Sequence, residues 1–264
     1  MDYKTVMADQ LADNTVEVSV EDYVYKKVDG YDMTCRIYQP VGLGLERPTG
    51  AVLFYFGGGW TGGTMDQFKG QSAYLARQGL TCITVDYRVK SRHNVTPFEC
   101  VEDCRDSVLW LIEQSESLGI DKYQLVMAGG SAGGHIVAAA LQVNLTMMAK
   151  YVQGAILFNP VLDTTETGFA HERFLGRGHQ VSPIHQLHRG LPPYIIFHGT
   201  EDTTVALEIS QRYTAASKRL GNQCTLIPYE GASHGFFNID RSTEFYKDTL
   251  LQSEKFLKTV GLLA

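Results

Sequence analysis

The sequence has no apolar run approaching the roughly 18 to 20 residues of a bilayer-spanning helix, which argues against a membrane span. It has no excess of positive charge either. The 23 Lys and Arg residues stand against 29 Asp and Glu, a formal net charge of −6, and no basic stripe is present to contact phosphates, so no nucleic acid partner is expected. Cysteine is scarce: Cys35, Cys82, Cys100, Cys104 and Cys224 are odd in number and scattered, which fits reduced core thiols rather than a disulfide framework. Cys100 and Cys104 share a predicted helix face, but no second Cys or His pair accompanies them as a metal site would need. The first ten residues lack both the basic-then-apolar pattern and the small-residue cleavage site of a signal peptide, so a cytoplasmic protein is expected. No internal repeat, low-complexity tract or linker divides the 264 residues, and one domain is expected.

What is present is a regular alternation of strand and helix patterns. After a polar stretch at 1–12, read as a surface arm, Val16, Val18 and Val20 alternate with polar residues. The run from Met33 to Tyr38 alternates again beyond the Asp29-Gly30 turn, as antiparallel strands at a sheet edge do. Continuous apolar runs follow at 50–56, 80–86, 124–128, 154–158, 194–197 and 224–228. Between them lie helical patterns at 65–78, 97–117, 132–149, 205–220 and 243–259. Buried strands alternating with helices of this length predict an α/β, mostly parallel, doubly wound sheet. The stretch 159–191 breaks the rhythm and is expected as a loop bordering the functional site. Its histidines, His171, His179, His185 and His188, match no compact ligand spacing and read as loop histidines; no metal or cofactor is called for.

The stretch Gln124 to His135 carries the clearest chemistry. An apolar run enters Gly129-Gly130-Ser131-Ala132-Gly133-Gly134, and a helical pattern follows, the strand-turn-helix layout of a G-x-S-x-G nucleophile elbow. Ser131 is the candidate nucleophile. A serine used this way needs a base, an acid to hold that base in one tautomer, and donors for an oxyanion. Asp202, just past the strand 194–197, is the candidate acid, with Glu201 as local competitor and a helix N-cap as the alternative role. His234, after the last strand and flanked by Ser233 and Gly235, is the candidate base, and serine, acid and histidine arrive in the order expected of such an elbow. Gly58 and Gly59, after the strand ending at Phe56, and Ala132, next to the serine, can offer the backbone N–H groups of an oxyanion hole. The triple glycine could instead cradle phosphate, but neither G-x-x-x-x-G-K-[ST] nor G-x-G-x-x-G with a following acid is present. Trp60 and His135 are candidate substrate contacts.

Together these motifs resemble the α/β-hydrolase superfamily, and within it the hormone-sensitive-lipase-type carboxylesterases and the small acetyl-xylan and feruloyl-type carbohydrate esterases. Phe56-Gly57-Gly58-Gly59-Trp60 is similar to their H-G-G-G-[FW] oxyanion motif, and Val85-Asp86-Tyr87-Arg88 with Pro97-Phe98 and Glu102-Asp103 to their D-Y-R segment. Gly129 to Gly134 resembles G-D-S-A-G-G, Asn159-Pro160-Val161-Leu162-Asp163 resembles Y-P-V-L-D, and His198 to Asp202 and Ser233 to Phe236 resemble the acid and histidine motifs. Three departures stand out. Phe56 replaces a histidine, so its brace on the oxyanion loop must come from elsewhere; Gly130 replaces an aspartate, as on the carbohydrate-esterase and formamidase side of the superfamily. The residues before Gly50 read as strands, so no large helical cap is expected and only 159–191 is left to roof the site.

The resemblance implies a serine carboxylesterase that works through an acyl-enzyme, without cofactor, on a small-molecule ester. An open site suits a short acyl group on a bulky alcohol such as a sugar. An amidase, formamidase or peptidase on the same triad is the first alternative. A catalytically silent binding protein is the second, to which Phe56 alone points.

Overall fold

The Asp29-Gly30 turn that joins the first two strands has positive φ at both residues, 51° and 80°, as a two-residue type I′ hairpin turn requires. The computed structural model describes residues 16–42 and 48–263; the arm expected at 1–12 lies outside the described residues. The hairpin pairs β1 (Val18–Val28) with β2 (Tyr31–Pro40), with a register shift between Val24 and Lys26. Six further strands follow: β3 (Thr49–Tyr55), β4 (Thr81–Val85), β5 (Ile120–Gly130), β6 (Val152–Phe158), β7 (Tyr194–Gly199) and β8 (Cys224–Tyr229). They form one eight-stranded sheet in the order β1-β2-β4-β3-β5-β6-β7-β8, antiparallel from β1 to β4 and parallel from there on.

Among the described residues five helices of nine or more residues cover the sheet: α1 (Lys69–Arg77), α2 (Pro97–Gln114), α3 (Ala132–Val143), α4 (Leu207–Arg219) and α5 (Thr243–Thr259). Strand alternation divides the apolar residues into two cores. Leu53 and Tyr55 point with Ile83 and Met127 toward Cys104, Val108 and Ile136 of α2 and α3, and toward Tyr213 of α4. Val52 and Phe54 point with Cys82 and Val126 toward Tyr74 of α1 and Tyr246 and Leu250 of α5. All five cysteines are free and buried, and burial, together with the nearby Asp22 charge, pushes the Cys35 thiol up to about 12. No helix among the described residues is long and apolar enough to cross a membrane.

Helix α2 begins at a full capping box: Thr96 caps the first turn, Glu99 reaches back to the Thr96 N–H, and Pro97 occupies the first helical position. The helix carries Asp103, wholly buried, which accepts from Arg88 Nε at 2.8 Å, Arg88 Nη2 at 2.9 Å and the Arg88 N–H at 2.9 Å, and pairs with Lys26 Nζ at 2.7 Å. This network ties the edge strand β1, the segment after β4 and α2 together.

The parallel strands all send their carboxyl ends to one rim. There the chain turns at Gly57–Gly59 after β3, Ser131 after β5, Asn159 after β6, Thr200–Thr204 after β7 and Glu230–Gly235 after β8. Adjacent strands thus deliver the candidate site residues to one place.

Candidate active site

Ser131 stands between β5 and α3 with φ 53° and ψ −115°, a conformation that a non-glycine residue holds only when its surroundings impose it. The imposition is visible. The Ser131 N–H donates to the Phe158 carbonyl at 2.8 Å, and the serine carbonyl accepts from the His135 N–H at 3.0 Å. A Cβ at Gly129 would come within 2.4 Å of the Gly133 carbonyl oxygen, and one at Gly133 within 2.0 Å of the Tyr55 carbonyl oxygen, so strand and helix pass at backbone contact.

The position before the serine has its own reason to be glycine. A Cβ on Gly130 would lie 2.6 Å from Cζ of Phe237, whose ring packs against Phe68 and Phe158 and cannot swing aside. The aspartate of the G-D-S-A-G-G motif that this stretch resembles therefore does not fit here. Gly130→Asp is expected to destabilise the fold by about 1–3 kcal/mol through this overlap. Adding Phe237→Ala should recover part of the loss attributable to the clash. Equal and additive losses in urea denaturation of the two single variants and the double variant would show that the ring is not the obstacle.

His234 Nε2 is 3.0 Å from Ser131 Oγ, and His234 Nδ1 is 2.7 Å from Asp202 Oδ2. Asp202 Oδ1 accepts the N–H groups of Thr204 and Val205, each at 2.9 Å. Burial opposes ionisation of Asp202. Hydrogen bonds from His198, His234 and the Val205 N–H outweigh it and hold the carboxyl well below the usual carboxylate range. An ionised Asp202 only accepts, so His234 carries its proton on Nδ1 and presents a lone pair on Nε2 to the Ser131 hydroxyl. His198 is a second, fully buried imidazole on this carboxylate. Its Nε2 lies 2.8 Å from the Val205 carbonyl and 3.3 Å from Asp202 Oδ2, and its Nδ1 lies 2.8 Å from Ser210 Oγ. Asn159 sits beside the histidine: its Oδ1 accepts from the Gly235 N–H at 3.0 Å and its Nδ2 lies 3.4 Å from His234 Nε2. Glu201 is exposed on the same turn and takes no part in these contacts.

The glycine loop after β3 faces the serine. Gly58 and Gly59 have φ of 134° and 60°, which aim successive peptide groups in directions that side-chain-bearing residues rarely adopt. Among the described residues the N–H groups of Gly58, Gly59 and Ala132 make no hydrogen bond, so they are free to receive an oxygen. The brace that a histidine would provide at Phe56 is replaced several times over. Phe56 stacks on Tyr87 at 4.2 Å, and Tyr87 Oη donates to the Phe56 carbonyl at 2.7 Å. The Gly57 N–H donates to Gln67 Oε1 at 2.6 Å, and Arg173 Nη1 donates to the Gly59 carbonyl at 2.6 Å.

Trp60 and His135, expected against substrate, lie elsewhere. Both are buried, and neither lines the pocket. Trp60 Nε1 donates to His135 Nδ1 at 3.2 Å, and His135 Nε2 donates to the Val181 carbonyl at 2.9 Å. Burial, only partly offset by the Val181 contact, holds the ring neutral with its pKa down at about 4. The pair pins the glycine loop after β3 to the long β6–β7 connection, whose Phe174 packs edge-on to both rings.

The pocket over Ser131 has a volume of about 470 Å³ and is open to solvent. The connection 159–191 supplies Phe169 and Arg173 to its wall, and the turn after His234 supplies Asn238 and Arg241. Of the connection's histidines, His185 contacts Ser182 Oγ at 2.9 Å and His188 contacts the Gln142 carbonyl at 3.1 Å. Among the described residues no group of three or more His, Cys, Asp or Glu side chains is placed to hold a metal ion.

Residues 52–181 match a family model described as alpha/beta hydrolase fold. The chain superposes on the thermophilic esterase Est2 of the planctomycete Thermogutta terrifontis with a TM-score of 0.85 at 39% identity, covering 93% of this chain and 94% of that one. The chain belongs to the α/β-hydrolase fold family. Est2 has also been solved with butyrate bound and phosphorylated by paraoxon. Curated relatives include Lipase 2 of Moraxella sp. (strain TA144), 34% identical over 129 residues, and Esterase LipC of Mycobacterium tuberculosis, 24% identical over 222 residues. These matches take in 47% and 74% of this chain but only 29% and 55% of the relatives' own lengths.

Proposed function

We propose that this α/β-hydrolase is a serine carboxylesterase for esters with a short acyl group on a bulkier alcohol, such as an acylated sugar. The observation that carries the reading is the continuous Ser131–His234–Asp202 hydrogen-bond chain, 3.0 and 2.7 Å, beside three uncommitted N–H donors. His234 Nε2 takes the Ser131 proton as Oγ attacks the ester carbonyl, and the Asp202 carboxylate stabilises the imidazolium formed. The carbonyl oxygen, now negative, receives N–H bonds from Gly58, Gly59 and Ala132. His234 returns its proton to the departing alkoxide, leaving an acyl group on Ser131. Water then repeats the sequence with His234 as base, releasing the acid and restoring the serine.

The open pocket supports the short-acyl preference, because a long chain would find little apolar wall to bury against. The butyrate held by Est2 supports it from a relative. The test is a series of p-nitrophenyl esters from acetate to palmitate. Turnover with pre-steady-state release of p-nitrophenol, falling beyond about C6, is expected; rising kcat/KM toward palmitate would overturn the short-acyl part, and no turnover of any ester would overturn the activity.

A further inference from the structure

Two arginines and no carboxylate line the pocket, in a chain whose net charge is −6. Arg173 spends Nη1 on the Gly59 carbonyl, has Glu172 at 3.6 Å from Nε and lays its guanidinium over the Phe169 ring at 5.8 Å, and its Nη2 makes no hydrogen bond among the described residues. Arg241 is exposed, and its guanidinium makes no hydrogen bond or ion pair among the described residues. Its backbone is nonetheless fixed near the candidate base. The Arg241 N–H donates to the Asn238 carbonyl at 3.0 Å, and Asn238 Nδ2 donates to the carbonyl of Gly235, the residue after His234, at 2.8 Å.

The acids nearby do not cancel this charge. Asp202 lies behind His234 with a fully buried side chain and its oxygens engaged; Glu172 is 65% exposed and points its contact at Arg173; Asp240 is exposed and does not line the pocket. The exposed Arg241 guanidinium is left to water, so no protein acid among the described residues competes with a ligand for it. A ligand oxyanion would pair with it, and the planar guanidinium fork matches a carboxylate.

We infer that the pocket selects esters bearing a second, ionised acid group, a carboxylate on the alcohol or acyl side, which Arg241 holds together with the free edge of Arg173. The inference rests on the esterase reading; it points to acylated hydroxy acids, which fall within the bulky-alcohol class, or to half-esters of diacids, which would replace it. No step of the chemistry changes: the carboxylate is bound, not transformed.

The test compares matched esters differing only in charge. On the alcohol side these are 4-acetoxybenzoate and 4-acetoxybenzamide; on the acyl side, monoethyl adipate and its monoamide. The quantity read is the ratio of kcat/KM for the carboxylate to that for the carboxamide, in wild type, Arg241→Gln and Arg241→Lys, at low salt and in about 0.5 M NaCl. The ratio is expected to fall about fivefold in Arg241→Gln for at least one pair, the scale of one solvent-exposed charge pair, to persist in Arg241→Lys, and to shrink in salt. An unchanged ratio in Arg241→Gln for both pairs overturns the inference while leaving the esterase reading intact. Failure of wild type to hydrolyse either neutral ester and p-nitrophenyl acetate overturns both.

Discussion

Ser131→Ala is expected to lower kcat/KM for p-nitrophenyl acetate by about four to six orders of magnitude. The methyl group leaves nothing 3.0 Å from His234 Nε2 to be deprotonated, so no acyl-enzyme can form. The N–H groups of Gly58, Gly59 and Ala132 remain, and they account for the residual rate above that of water. Alanine is strained at φ 53° as serine is, so the melting temperature should stay close to that of wild type. Activity loss with unchanged stability separates a lost nucleophile from a lost fold. His234→Ala should match Ser131→Ala, and the double variant should lose no more than either, because the residues act as a unit.

Asp202→Asn is the second large effect, about four orders of magnitude in kcat/KM. The amide keeps its oxygen toward the Thr204 and Val205 N–H groups and so presents NH2 where Oδ2 now faces His234 Nδ1 at 2.7 Å. Two donors then oppose each other. His234 relieves the conflict by moving its proton to Nε2, which makes it a donor toward Ser131 and removes the base. His198 meets the same amide at the 3.3 Å contact, so the substitution should also cost about 1–3 kcal/mol of stability. The pH dependence has a definite sign. The folded-state carboxyl titrates below its unfolded value of about 3.9, so its stabilising contribution is complete above that value and is lost as pH falls toward the folded-state one. The difference in urea midpoint between wild type and Asp202→Asn should therefore hold from pH 7 to about pH 5 and shrink by pH 3. A gap that widened in acid would mean that the carboxyl is not held ionised.

The sheet and the three central side chains were legible in the sequence because each is written redundantly. Ser131, Asp202 and His234 all follow an apolar strand, and each sits among glycines or small residues whose conformational needs narrow the reading. Boundaries were less legible. The helix pattern read to 149 is interrupted at Asn144, which leaves the helical region after Val143, and resumes as one helical turn at Leu145–Met148; the strand read from 124 begins at Ile120. Trp60 and His135 show the limit most clearly. Both neighbour the reacting residues along the chain, yet side-chain direction turns them inward against each other, and direction is set by tertiary packing that no local pattern encodes. Arg173 and Arg241 failed in the opposite sense: single arginines in irregular segments carry no periodic signal, and only the folded chain brings them to one pocket. The excluded side chain at Gly130 likewise depends on Phe237, more than a hundred positions away.

The most direct measurement is covalent. Wild-type protein treated with paraoxon should lose its p-nitrophenyl acetate activity in step with the gain of one diethyl phosphate, and peptide mapping should place that group on Ser131, with Ser131→Ala left unmodified. An adduct on another residue, or an enzyme that hydrolyses esters yet yields no adduct at Ser131, would contradict a nucleophilic serine activated by His234 and Asp202.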